Sequence, residues 1–530
     1  MKNMKNWKCA VGVTAATMLS AMMGVSAFAA EYDANNPPIT ATAQGQVMGF
    51  MDEDTYTFLG IPYATAERFE EPQTVEAWEG VRSAQTYGTV SPIPDQTSVG
   101  SDEMVWPHRY WIQNEDCMNL NVWTQSLDTE AKKPVLVFFH GGGYTNGSSV
   151  ESSAYDGKNL SDYGDVVVVT VNHRLNVLGF LDLTAYGDEY AGSSNLGIKD
   201  LVASLEWVQE NIANFGGDPD NVTIFGQSGG GGKVTTLMRT PAAEGLFDKA
   251  MCISGIAGGS AKEDEQKVAP LLLEKLGMEE SQIDELKNVD YHDLITAATE
   301  AIGEVGLSWG PENDGEYILD DYCDWANDIP FIASTVFSEF DYNWMVEGPN
   351  KNEWTDEEAM EKLTEKYGDK AEAFAEEFQK VFPGRKLADA YFYDAYLSWA
   401  AISRQGVEGV LNDKFKNSNA PVYEYLFDYE APVNGGTLAF HCCDLIYLFH
   451  NVDIPVVTRA TGGDETAHKV QDEMASALVA FATTGDPSTE KLEWKPYTPD
   501  EKNIMVFSDD SSCKILNDEQ LYTLAEEASK

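Results

Sequence analysis

The sequence predicts an α/β fold, a large, mostly parallel central sheet flanked by helices and carrying helical insertions. Three observations predict it. Short β-rich apolar runs recur through the middle of the chain, an amphipathic helix separates two of them, and turn residues punctuate the joins. Val135–Phe139 (VLVFF) and Val166–Val171 (VVVVTV) are apolar without alternation, the pattern of strands buried on both faces. Leu201, Leu205, Val208 and Ile212 then recur at helical spacing. Phe215-Gly-Gly-Asp-Pro-Asp220 stops that helix and turns the chain. The next strands are Val222–Phe225 and Lys249–Ile253. Residues 262–320 and 355–410 are acidic and helical in pattern, with a strand at Ile329–Ser334 between them. Val422–Phe427 is a late strand, and Val470–Thr484 a C-terminal helix stopped by Gly485-Asp-Pro. No Ser/Gly/Pro linker marks a boundary, so residues 30–530 are expected to form one large domain.

Composition narrows the function. Of 530 residues, 43% are apolar and 11% aromatic, enough for a large core and too many for disorder. The balance of 87 acidic against 35 basic residues gives a formal charge of −52. Nucleic acid and anionic membranes need clustered Lys and Arg, so neither is an expected partner.

The first 29 residues have the features of a secretory signal. Lys2, Lys5 and Lys8 precede an uncharged run from Cys9 to Ala29 that ends in Ala27-Phe28-Ala29, a small-residue cleavage site. A secreted protein, cut near Ala29, is the expectation. No later run approaches the length of a membrane span. Of seven cysteines, Cys9 leaves with the signal; six over the remainder are no disulfide scaffold. No CxxC occurs and no His/Cys spacing suits zinc, so no metal site is expected.

Two motifs carry chemistry. Gly226-Gln227-Ser228-Gly229-Gly230 is a G-x-S-x-G placed directly after strand VTIF and before a segment able to form a helix. That setting suits a sharp turn that holds a serine strained and exposed, with small neighbours letting the backbones approach. The pentapeptide alone is common; the strand before it gives it weight. Upstream, His140-Gly-Gly-Gly-Tyr144 follows strand VLVFF. Glycines let backbone N–H groups point at a developing oxyanion without a Cβ in the way. Gly142, Gly143 and Gly229 are the expected donors. His140 is expected to orient the loop rather than to act as a base.

With these motifs in place the sequence resembles the type B carboxylesterase/lipase family of α/β-hydrolases, which also contains the cholinesterases. The resemblance covers nearly all of the chain after residue 29. It rests on Gly60-Ile-Pro-Tyr63 with Arg68-Phe69, Glu115-Asp-Cys-Met-Asn-Leu-Asn-Val-Trp123, the HGGGY loop, Asn172-His-Arg174 with Leu178-Gly-Phe-Leu181, Asn195–Asp200 and the block FGGDPDNVTIFGQSGGG at 215–231. It implies the α/β-hydrolase fold and a triad in the order Ser, Glu, His. Ser228 matches the nucleophile. Glu339, at the end of Ile329-Pro-Phe-Ile-Ala-Ser-Thr-Val-Phe-Ser-Glu339, matches the acid, although the family's following glycine is Phe340 here. His441 matches the base in HCCDLIYLF, where Cys442 replaces the family's glycine; His292, His450 and His468 lack that context. Ser254 falls where the family has a serine beside the triad. Arg68 with Glu115 and Arg174 with Asp200 match structural ion pairs. The family's partner for Cys117 is Ser91 here, so that disulfide is expected to be absent, and Gly229 replaces the usual alanine after the nucleophile.

The implied function is hydrolysis of small-molecule carboxylic esters through an acyl-enzyme, with no metal or organic cofactor. Trp106 lies in a stretch faintly similar to the choline-binding segment of cholinesterases, and an apolar wall is its plainer role. Two alternatives stay open. A non-catalytic member of the fold would lack a triad position, and all three are assignable here. An amide or thioester substrate would use the same residues.

Overall fold

The computed structural model describes residues 37–100, 103–255, 262–396 and 402–530. The expected signal segment lies outside the described residues.

Eleven strands form the main sheet: β1 (Phe50–Asp52), β2 (Thr55–Pro62), β3 (Asn119–Thr124), β4 (Lys133–Phe139), β5 (Val167–Val171), β6 (Gly217–Gln227), β7 (Lys249–Ile253), β8 (Phe331–Val336), β9 (Val422–Phe427), β10 (Asn503–Phe507) and β11 (Ser512–Ile515). Their spatial order is β11-β10-β9-β8-β7-β6-β4-β5-β3-β2-β1. Neighbours from β5 through β4 and β6 to β10 run parallel. Both ends are closed by antiparallel strands. A separate three-stranded sheet combines Ile39–Thr42, Gly45–Met48 and Val81–Ser83.

The unbroken apolar runs have a simple cause. Successive side chains of a strand point to opposite faces, and here both faces are covered. Leu136 and Phe138 of β4 join one core with Phe225, Ile253 and Ile332. Val135, Val137 and Phe139 join the other with Ile224, Cys252 and Ala333.

Helices cover both faces. α1 (Leu196–Asn211) buries Leu201, Leu205 and Val208, as its spacing predicts, and hands over to a short 3-10 turn ending at Gly216 (φ 74°). α2 (Gly229–Leu237) leaves the end of β6. α3 (Tyr291–Val305), α4 (Asp356–Tyr367), α5 (Ala371–Val381) and α6 (Arg404–Asn417) supply the expected helical insertions. α4 starts on a capping box, with Thr355 Oγ1 accepting from the Glu358 amide and Glu358 Oε2 accepting from the Thr355 amide. α7 (Glu465–Thr484) begins five residues earlier than the apolar pattern shows, because the Asp464 carboxylate caps it by accepting from Ala467 N (2.8 Å). α8 (Glu519–Ser529) ends the chain. Residues 306–320 are irregular, although the sequence pattern reads them as part of a helical stretch.

Candidate active site

Ser228 lies at the junction of β6 and α2 with φ 58° and ψ −125°, a conformation a side chain rarely adopts. The fold enforces it from both sides. Ser228 N donates to Ile253 O of β7 (2.8 Å), and Gly232 N of α2 donates to Ser228 O (3.1 Å). The helix then crosses β4 at a distance only glycine permits: a Cβ on Gly230 would stand 2.0 Å from Phe139 O. The glycines of G-x-S-x-G thus hold the turn through close approach.

Glu339 and His441 arrive from two loops beyond the strand ends, Glu339 after β8 and His441 after β9. Their backbones are joined by His441 N donating to Glu339 O (2.8 Å). His441 Nδ1 donates to Glu339 Oε2 (2.5 Å). The other carboxylate oxygen, Oε1, accepts from Ser254 Oγ (2.8 Å), Thr335 Oγ1 (2.5 Å) and Val336 N (3.0 Å). Glu339 is fully buried, and these bonds hold its carboxylate in one orientation. Sequence reasoning singled out Ser254 but missed Thr335; its place four residues before Glu339, next to last in β8, is the available signal.

The glycine loop after β4 faces the same cavity. Gly142 (φ 79°) and Gly143 (φ 62°) both adopt the left-handed region, and both line the cavity with Ser228 and His441. Gly229 occupies the first turn of α2, where N–H groups have no partner within the helix. Its Cα packs so closely that an added Cβ would lie 2.2 Å from Gly143 O. Gly143 fills the space an alanine methyl at 229 would need.

His140 is buried behind the loop. Its Nδ1 donates to Gly141 O (2.9 Å), its ring stacks on His173 at 5.3 Å, and burial pushes its pKa well down. Lys233 of α2, which sequence reasoning passed over, donates from Nζ to His140 O (2.8 Å) and is entirely buried. Burial pushes its pKa down to about 7.

The cavity measures about 400 Å³. Trp106 is in its wall at 2% exposure and packs on Tyr155 at 6.1 Å, the apolar role rather than an open aromatic face. The mouth differs: Tyr110 and Trp111 line the cavity at 60% and 38% exposure, and Trp111 packs edge-on to Tyr87.

The chain was compared with known proteins. Residues 36–523 match the model of the carboxylesterase family. The chain belongs to the carboxylesterase family. The para-nitrobenzyl esterase of Bacillus subtilis is 33% identical over 500 residues, covering 91% of this chain and 96% of that one. The phenmedipham hydrolase of Pseudarthrobacter oxydans is 30% identical over 509 residues, covering 90% and 96%. Among solved structures, an esterase from Clostridium hathewayi described as able to hydrolyse aliphatic aromatic polyesters superposes with a TM-score of 0.86 at 40% identity, covering 94% of this chain and 99% of that one. The protein is a carboxylic ester hydrolase of the α/β-hydrolase fold.

The carboxylesterase keeps both expected ion pairs. Arg68 reaches Glu115 through Nε (2.8 Å) and a second, shorter bond. Arg174 forks onto Asp200 at 2.9 and 2.6 Å, with both side chains buried. Ser91 uses its hydroxyl to accept from Leu175 N (3.2 Å), and no disulfide joins the described cysteines.

Proposed function

We propose that the esterase works by two-step acyl transfer at Ser228, with His441 as base and Glu339 as the acid that orients it. The observation that carries this is the 2.5 Å bond from His441 Nδ1 to a buried, fully hydrogen-bonded Glu339, in a cavity that also exposes the strained Ser228. With Nδ1 donating in that bond, Nε2 accepts the hydroxyl proton of Ser228 in the proposed reaction. Ser228 Oγ attacks the ester carbonyl, and the N–H groups of Gly142, Gly143 and Gly229 hold the oxyanion. His441 returns the proton to the departing alcohol. Water, deprotonated by the same Nε2, then releases the carboxylic acid and regenerates Ser228. No step calls for a metal or organic cofactor.

The test is hydrolysis of p-nitrophenyl acetate, butyrate, octanoate and palmitate by the protein and by Ser228→Ala. The expected result is turnover on short chains, reduced by roughly 10⁵-fold or more in the variant. Retained hydrolysis would falsify the nucleophile assignment.

A larger substrate is favoured by the exposed ridge of Tyr110 and Trp111 on the cavity lining, together with the polyester activity described for the Clostridium hathewayi esterase. Bulky aromatic esters, polymer chains included, would lie along that ridge. Tyr110→Ala with Trp111→Ala should cut product release from an aliphatic–aromatic polyester film at least several-fold while p-nitrophenyl acetate hydrolysis stays within twofold. Equal losses on both substrates would remove the ridge from the account. We further propose that residues 1–29 direct export; the N-terminus of the protein recovered outside the cell should read from Ala30.

A further inference from the structure

Two positions where the resembled family has glycine carry side chains here, Phe340 and Cys442, and both meet at His441. The Phe340 ring centroid lies 4.2 Å from that of His441 with the planes 31° apart. Two rings that close cannot lie side by side, so Phe340 covers one face of the imidazole. Gln227 Nε2 stands 3.2 Å from His441 Nε2 and 3.4 Å from Nδ1. A nitrogen nearly equidistant from both ring nitrogens at that range cannot lie in the ring plane, where it would overlap Cε1 or the Cγ–Cδ2 edge. The Gln227 amide therefore covers an imidazole face too, and since Phe340 fills one, it covers the other. Cys442 anchors the amide: its Sγ donates to Gln227 Oε1 (3.1 Å). Cys442 does so from φ 76°, a region where glycine would be unstrained.

We propose that Phe340 and Gln227, with Cys442 holding Gln227, clamp the His441 imidazole between them and so act as positioning residues for the proton transfer. This rests on His441 being the base. The bond to Glu339 fixes one edge of the ring but leaves rocking about that edge free. The two faces of the clamp remove the rocking of a ring that lines the same cavity as Ser228.

The full chain is assayed as Phe340→Gly and Cys442→Gly, beside Phe340→Tyr, Cys442→Ser and His441→Ala. Two quantities are read: kcat on p-nitrophenyl butyrate, and the inhibition constant of 4-nitrophenyl butyl ether, which binds without reacting. A rocking base predicts kcat down about tenfold in Phe340→Gly and about threefold in Cys442→Gly, with the ether constant within about twofold. Tyrosine at 340, which still stacks, and serine at 442, which still donates, should recover most of the loss. Unchanged kcat in both glycine variants overturns the clamp. So does a weakened ether constant with kcat intact, which would make Phe340 a wall of the substrate cavity. Should Phe340→Gly fail to fold, Cys442→Gly decides, because glycine relieves the left-handed residue. Wild-type turnover in His441→Ala would sink the base assignment, whatever the clamp variants do.

Discussion

At the scale of single residues, the site depends on contacts that leave little room for substitution. Replacing Glu339 by Gln keeps the shape of the side chain but removes the acceptor that fixes the His441 tautomer. We expect kcat to fall about 10³–10⁴-fold with folding intact, read by steady-state kinetics and circular dichroism. Gly229→Ala introduces the family's usual residue into a space Gly143 already occupies. It should push Gly143 away and lower kcat by about tenfold or more. Wild-type kcat in that variant would show that the loop adapts freely. Asp200→Ala strands the buried Arg174 guanidinium, and should cost about 3–5 kcal/mol in chemical denaturation. The three residues proposed as nucleophile, acid and base could be picked out because each sits in a motif whose spacing is tied to a strand end. Thr335 and Lys233 were not. Their partners, the Glu339 carboxylate and the His140 carbonyl, are chosen by the tertiary fold, and neither residue type announces such a bond in sequence.

At the scale of elements, uninterrupted apolar runs such as VLVFF were readable as buried strands, whereas β3 and β10, buried at every position, were not read; the asparagines of β3 interrupt its apolar run. The edge strands β1 and β11 were not read. Both are short, are partly exposed and carry polar residues, so no apolar period marks them. The start of α7 was missed because a cap, Asp464, sets it rather than the apolar stripe. The four glycines opening α2 are poor helix formers, and tertiary packing against β4 overrides that tendency. The same packing brings Ser228 and the glycine loop to one cavity, so β4, β6 and α2 are the elements that build the proposed site. By contrast, Thr355→Ala removes only the α4 cap, far from Ser228 in sequence and outside the cavity lining. It should cost about 1 kcal/mol and leave kcat unchanged.

At the scale of the whole molecule, buried ionisable groups make stability depend on pH. Burial pushes Asp444 up to about 7. It keeps its proton in the folded chain while the unfolded chain has released it, so it favours folding at low pH and loses that contribution as pH rises through about 7. Lys233 has the opposite sense. Its pKa is depressed to about 7, so its burial penalty is full below that value and is relieved as pH rises toward the ordinary lysine range. Asp444→Asn keeps a partner for Tyr425 Oη, which donates to Asp444 at 2.7 Å, and removes one titration. The Tm difference between Asp444→Asn and the parent should grow in the variant's favour from pH 4.5 to pH 7.5; parallel Tm curves would contradict it. The formal charge of −52 should also make Tm rise with moderate salt, as self-repulsion is screened.

The most direct test of the central claim is to treat the full chain with a fluorophosphonate and locate the adduct by peptide mass mapping. The account predicts one adduct per chain, on Ser228, with none in Ser228→Ala. An adduct on another residue, or labelling that persists in Ser228→Ala, would contradict it.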